Sequence, residues 1–422
     1  MSVLVLHPRG HFSYEAAVAA QEVGLLHRYV TAVYRTGRPP VPGIWGLLPG
    51  GVRERLDREL CRRWHPALDP GLVATRPAAH LLYQLVRRAL PLPPWMRVEL
   101  EWAAIRAFGR GSARLLPRTP RPALVHAYEG GALEVLRAAR RAGARSVLDV
   151  PSRHEDFIRV NAEEARRWGV PVPALPAGVQ RRVDEERAAA DVLLVPSEET
   201  RTALTGAGVA AERVVVLPFG ADPVAFHPRS GGSGGGFRAV YVGHVNLRKG
   251  VAYLLQAWSR LALPDAELVL VGNADAAGRA LLASRPAGCR VRVIPNVPHG
   301  ELPGLLASAD AFVFPSLAEG SPLVVYEAMA AGLPVVTTDG ARAAVRHGVD
   351  GIVVPPANVE ALAEAVAFLH RNVEARLRMG REARRRIEES FTWRHYRMRL
   401  VTIYRHLLAG GGTPVPRCWE LP

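Results

Sequence analysis

Six short apolar runs in the second half of the chain, at 238–242, 267–271, 291–294, 311–314, 334–337 and 352–354, alternate with helical patterns. This spacing fits parallel strands joined by helical crossovers. The first half has the same rhythm. An apolar run at 3–6 is followed by a turn and a helical stretch at 14–23, the usual opening of a doubly wound α/β domain. Further strands are expected at 124–126, 146–149, 192–195 and 214–217, with a helix at 133–141. A length of 422 residues makes two domains the default. Two such domains in series are expected to leave a cleft between them, a usual place for a ligand.

The composition narrows the classes of function. Hydrophobic residues make up 49% and charged residues 22%, ordinary for a globular protein with sizeable cores. The formal net charge of +15 is spread over both halves and favours anionic partners. No zinc-finger spacing, RNA-binding aromatic motif or compact basic helix supports nucleic acid. Cys61, Cys289 and Cys418 are too widely spaced for a disulfide framework or a metal site. The opening MSVLVLHPRG reads as a strand running into a loop and not as a signal peptide, and no apolar run is long enough to span a membrane. A reducing cytoplasm is the expected location. Residues 40–120 are rich in Pro, Arg and Trp (Trp45, Trp64, Trp95, Trp102). They fit either a helical face packed on the N-terminal sheet or a basic surface touching an anionic membrane from its inner side. The lack of a long clean amphipathic stripe favours the first. The run SGGSGGG at 230–236 reads as a flexible interdomain linker or a loop just inside the second domain.

Chemistry concentrates in EGSPLVVYE, residues 319–327. It follows the apolar strand pattern AFVFPS. Ser321 is expected to cap a helix whose first residue is Pro322, leaving the N–H groups of the first turn free for a phosphate. Glu319 in the loop and Glu327 inside the helix would repel a phosphate, so they suit hydroxyls. A sugar nucleotide offers both groups.

The segment FVFPSLAEGSPLVVYEAMAAGLPVVTTD resembles the E-x7-E region of family 4 glycosyltransferases, which have the GT-B fold. VGHVNLRKGVAYLLQAW resembles the family's strand, loop and helix carrying a phosphate-binding lysine, here Lys249, the one lysine in the chain. ADVLLVPSEETRTAL, ERVVVLPFGADPVAFHP, GVDGIVVPPANVEALAEAV and SFTWRHYRMRLVTIYRHLL continue the likeness in order, from about Ala190 to Leu408. The resemblance implies two Rossmann-like domains facing across a cleft. The expected divisions are an N-terminal acceptor domain at 1–225, elaborated at 40–120, a linker at 226–236 and a nucleotide-sugar domain at 237–390. A helix at 391–410 then crosses back to the N-terminal domain, and a tail follows at 411–422.

The resemblance also assigns roles. Glu319 would contact the donor sugar and Glu327 the ribose hydroxyls. Backbone groups at Ser321, Pro322, Leu323 and Val324 would meet the diphosphate. Asn296 and Val297 would border the base. Gly243 ends the strand before the lysine loop, and Gly10 would approach the donor phosphate. Arg248 and Lys249 would stabilise the leaving diphosphate with no metal ion and no cofactor, the donor being UDP- or GDP-linked. Retention at the anomeric carbon is implied, and the acceptor could be lipid-linked, polysaccharide or small. The chain departs from the pattern in several places. His244 stands where many members have Arg, only Gly10 remains of a usual glycine pair, and TTDGARAAVRHG lacks the common Gly-Gly and Glu. Either His154, expected in a loop, or His126, expected at the sheet edge facing the cleft, would take the place of a family histidine. A sugar-nucleotide epimerase or hydrolase of the same fold, and a non-catalytic basic binding protein, are the alternatives.

Overall fold

The computed structural model describes residues 1–10, 12–35, 50–51, 63–117, 120–152, 154–171, 178–228, 236–285, 290–295, 297–411 and 415, without the side chains of Arg88, Pro94 and His154. Trp45, Asn296, the three cysteines, most of the Gly/Ser run and the end of the tail lie outside the described residues. The chain divides into two compact units. Unit 1 is Met1–Pro151, Pro173–Leu217 and Arg397–Pro422; unit 2 is Ser152–Val172 and Pro218–Tyr396.

Unit 1 holds a seven-stranded sheet: β1 (Val3–His7), β2 (Leu26–Thr31), β3 (Val73–Thr75), β4 (Leu124–Tyr128), β5 (Arg145–Asp149), β6 (Val192–Val195) and β7 (Val214–Val216). Their order is β3-β2-β1-β4-β5-β6-β7, and every pair is parallel. Helices bury Leu4, Leu6, Val125, Leu148 and Leu193 on one face, and Val3, Val5, Leu124, Val147 and Val192 on the other face are equally buried, which is why these strands read as unbroken apolar runs. β2 and β3 were not expected. His27 and Arg28 interrupt the apolar run of β2, and β3 is only three residues long. In the basic Trp-bearing region, helices Ala78–Ala89 and Pro94–Ala113 pack on each other, and the second sends Phe108 into the core.

Unit 2 holds six parallel strands: β8 (Arg238–Val242), β9 (Glu267–Val271), β10 (Val291–Ile294), β11 (Ala311–Phe314), β12 (Val335–Thr338) and β13 (Gly351–Val354). Their order is β10-β9-β8-β11-β12-β13. Residues 152–172, expected with the N-terminal domain, pack with unit 2. Two contacts explain this: the Tyr253 hydroxyl donates to both oxygens of Glu164 at 2.9 and 2.8 Å, and the Arg248 guanidinium lies 4.2 Å from the Phe157 ring centre. No helix among the described residues is long and apolar enough to cross a membrane.

Candidate active site

In unit 2, β8 and β11 are neighbours although β9 and β10 separate them in sequence. In open parallel sheets, ligand crevices lie beyond the carboxyl ends of the strands at such a reversal. The loops that leave β8 and β11 there are VGHVNLRKG and PSLAEGSP.

The backbone brings these loops together. Gly250 precedes helix Val251–Leu261 with φ +70°, and a Cβ there would stand 1.9 Å from the Pro315 carbonyl oxygen. Only glycine fits this left-handed, closely pressed position. The Arg248 carbonyl accepts the Leu317 N–H at 2.9 Å and the Ser316 hydroxyl at 3.3 Å. The Lys249 N–H donates to Asn246 Oδ1 at 3.0 Å, and the Glu319 N–H donates to the Gly340 carbonyl at 2.9 Å.

The side chains then converge on one oxygen. Glu319 Oε1 accepts from Ser316 Oγ at 2.7 Å, from Arg248 Nη1 at 2.9 Å and from Lys249 Nζ at 2.5 Å. Glu319 Oε2 takes part in none of these bonds. Arg248 Nη1 also donates to the Ala318 carbonyl, and Lys249 Nζ lies 5.0 Å from the Phe314 ring centre. The three side chains are only 16%, 14% and 11% exposed. Burial pushes the Lys249 ammonium below its ordinary pKa; Glu319 pulls it back up and Arg248 adds to the lowering. Two cations on one carboxylate leave one positive charge in excess in a nearly dry pocket, which suits an anionic ligand.

Helix Leu323–Ala330 begins beside this cluster. It departs from expectation in two respects. Pro322 is the residue before the helix rather than its first, and Ser321 does not cap it. The Ser321 hydroxyl is buried and pairs instead with the Tyr326 hydroxyl at 2.9 Å. No side chain therefore caps the first turn, and the N–H groups of Leu323 and Val324 stand at the uncapped end. On the next turn, Glu327 Oε1 lies 2.7 Å from His299 Nε2. The imidazole packs edge-on against Phe226 at 5.6 Å, and Glu327 raises its pKa. Sequence spacing gave no sign of His299, 28 residues away from its partner, nor of Phe157 beneath Arg248.

The other expected site residues are dispersed. Gly243 follows β8 and donates its N–H to the Val271 carbonyl at 2.9 Å. Val297 lies half-buried in the loop beyond β10, while Asn296 lies outside the described residues. Gly10 sits after β1 in unit 1 with φ +84°, where a Cβ would meet the Tyr14 hydroxyl at 2.5 Å. His154 is not in a loop: it starts helix His154–Trp168.

His126 needs correction. It lies on β4 in the middle of its sheet and is fully buried, not at the sheet edge. Its Nδ1 is 2.6 Å from the Tyr404 hydroxyl of the C-terminal helix, and its ring stacks on Tyr128 at 5.0 Å. Burial pushes its pKa down to about 3, so the imidazole is neutral near pH 7. It ties the last helix to β4 within unit 1 and touches no open surface.

With this geometry in view, the comparisons are direct. The family described as "Glycosyl transferases group 1" matches residues 226–386, a span that contains Arg248, Lys249, Glu319 and Glu327. The D-inositol 3-phosphate glycosyltransferase 1 of Catenulispora acidiphila is 30% identical over 359 residues, covering 79% of this chain and 84% of that protein. The MMP alpha-(1->4)-mannosyltransferase of Mycolicibacterium hassiacum is 33% identical over 259 residues, 59% of this chain and 62% of that relative's length. The solved sucrose-phosphate synthase of Thermosynechococcus elongatus superposes with a TM-score of 0.64 at 18% identity, over 97% of this chain and all of that one. At that identity the likeness is one of fold.

Proposed function

The chain belongs to the group 1 glycosyltransferases, which have the GT-B fold, and from that premise we propose that it moves a sugar from a nucleoside-diphosphate sugar to an acceptor hydroxyl, with retention and without a metal ion. The observation that carries this reading is the convergence of Arg248 and Lys249 on Glu319 beside the uncapped helix at Leu323. Family membership sets aside the epimerase or hydrolase and the non-catalytic binding protein.

In this reading the diphosphate lies on the N–H groups of Leu323 and Val324, within reach of both cations. The bond from the anomeric carbon to the diphosphate oxygen breaks, and the departing charge is taken by Lys249, Arg248 and the helix end. The acceptor oxygen bonds to the same face of that carbon, and its proton passes to the departing phosphate oxygen. Glu319 keeps Oε2 for a sugar hydroxyl while Oε1 holds the cations. Glu327 accepts from the ribose hydroxyls.

A thermal-shift panel of UDP-, GDP- and ADP-sugars tests this. One class is expected to raise the melting temperature, and Glu327→Ala to weaken that class about 10- to 30-fold, the loss of a charge-assisted hydrogen bond. If none of these donors, nor any nucleoside diphosphate, shifts the melt, the reading fails.

The His299–Glu327 pair adds a pH dependence. A histidine pKa raised by its partner means that the charged pair is complete at low pH and is lost as pH rises through that value. Above it, Glu327 is released for the ribose. Nucleotide is therefore expected to bind about two- to threefold tighter at pH 8 than at pH 6, a modest change because His299 is 71% exposed. Titrations of His299→Gln should lose this slope; an unchanged slope removes His299 as its source.

A further inference from the structure

Unit 1 contains a cavity of about 460 Å³ that no assigned role uses. It opens where β1 and β2 end, at Pro8, Arg9 and Ala32, and helices Ala78–Ala89 and Pro94–Ala113 close its side. This is the carboxyl end of a parallel sheet, where such folds place ligands.

We propose that this cavity is an anion site that holds the phosphate of a phosphorylated acceptor. Its charged lining is Arg9, Arg63 and Arg87 against the single carboxylate of Glu101, so three positive charges meet one negative and two remain in excess. Glu101 is already engaged with Arg9 and with the Tyr83 hydroxyl. Arg63 Nη1 is buried and has no hydrogen-bond partner among the described residues. A buried guanidinium N–H without an acceptor is costly, and folded proteins rarely keep one without a use. Arg87 is exposed; among the described residues its guanidinium donates to Gln84 on its own helix at 3.0 Å and lies 5.8 Å from the Tyr83 ring centre, so it can turn inward at little cost. Two planar forks with spare donors match phosphate oxygens better than they match a neutral sugar.

His80, Gln84 and the Tyr14 and Tyr83 rings add polar groups to the lining, and one wall is apolar. Ala104, Ile105 and Phe108 form a floor that suits the carbon skeleton next to a phosphate rather than a second charge. The phosphate could belong to a free sugar or polyol phosphate or to a lipid headgroup, since Leu82 and Leu85 are exposed on the same helix as Arg87. The anion site stands on unit 1 alone; only its role as an acceptor site rests on the glycosyltransferase reading.

The test uses the full chain with its nucleotide site saturated, so that added phosphate does not report on unit 2. Glycerol 3-phosphate serves as the free probe, and phosphatidylcholine vesicles with or without phosphatidic acid as the lipid probe. Binding of one probe is expected, weakened about tenfold or more in both Arg63→Gln and Arg87→Gln, with the nucleotide melting shift unchanged. Arg87 is exposed, so its variant should fold even if that of Arg63 does not. Glycerol 3-phosphate binding assigns the phosphate to a free molecule, and binding confined to phosphatidic acid vesicles assigns it to a headgroup. Binding of neither probe, or binding that survives both substitutions, overturns the site. Donor consumption should be faster with a pool of hexose and polyol phosphates than with the same pool after phosphatase treatment; equal rates overturn the acceptor role. A chain that binds phosphate but ignores every nucleotide would sink the donor reading and leave the anion site standing.

Discussion

Lys249→Arg is expected to lower turnover with a nucleotide sugar about a hundredfold, some 2.7 kcal/mol of transition-state stabilisation, and to leave the melting temperature nearly unchanged. The charge is conserved by this change, so simple electrostatics predicts no effect. Geometry predicts a large one. Lys249 Nζ reaches Glu319 Oε1 at 2.5 Å while lying 5.0 Å from the Phe314 ring centre, on a side chain 14% exposed. Arg248 already occupies the other approach to the same oxygen at 2.9 Å. A second planar fork needs more width than a compact ammonium, and it cannot swing among three oxygens as a rotatable –NH₃⁺ can. Every other Lys or Arg position in this chain is Arg, so the composition exerts no pressure for lysine here. The loss should fall on kcat more than on KM, because in the proposed transfer the charge Lys249 answers develops as the diphosphate departs. Near-normal kcat would remove Lys249 from the chemistry and leave it as a structural partner of Glu319.

The parallel strands of unit 2 were legible because each is covered on both faces and reads as a plain apolar run. Four of the six expected strand ranges there match the structure at both ends, 352–354 starts one residue late against Gly351–Val354, and 334–337 is offset by one residue from Val335–Thr338. β2 was not legible, because a strand near the sheet margin carries His27 and Arg28 on its path and breaks the pattern. Helix His154–Trp168 was missed for a different reason. Its anchoring partners, Tyr253 and Arg248, lie about 90 residues further along, and local spacing carries no trace of them.

The site shows the same division between local and distant signals. The loop before the helix pattern pointed to Glu319, and the resemblance to the family's lysine loop pointed to Lys249. Apart from Ser316, what each carboxylate touches was not local. Ser321 looked like a cap by position, yet a buried hydroxyl takes the nearest good partner, and the fold supplies Tyr326. His126 looked like a strand-end residue near a ligand, yet the C-terminal helix, some 278 residues away in sequence, brings Tyr404 onto its Nδ1. A polar residue at a strand end is therefore a weak pointer to a site unless the elements that cover that end are known.

Glu319→Gln separates two roles that the wild-type carboxylate combines. The amide keeps the shape and can still accept from Ser316, but it removes the negative charge shared by Arg248 and Lys249. Two cations no more than 16% exposed then face each other without a counter-charge. Breaking a buried ionic cluster from one side costs about 3 kcal/mol, which corresponds to a melting-temperature drop on the order of 6–12 °C for a unit of this size. Added nucleoside diphosphate should then stabilise the variant more than it stabilises the wild type, because its phosphates supply the missing charge to the same two side chains. The paired outcome is diagnostic. A variant that melts like the wild type would show that Glu319 is not the counter-charge of Arg248 and Lys249. A variant that melts early, but gains no more from the nucleotide than the wild type does, would show that the cations do not meet the diphosphate. The direction of the ligand effect, larger in the damaged protein, is one that a merely structural role for the cluster does not produce.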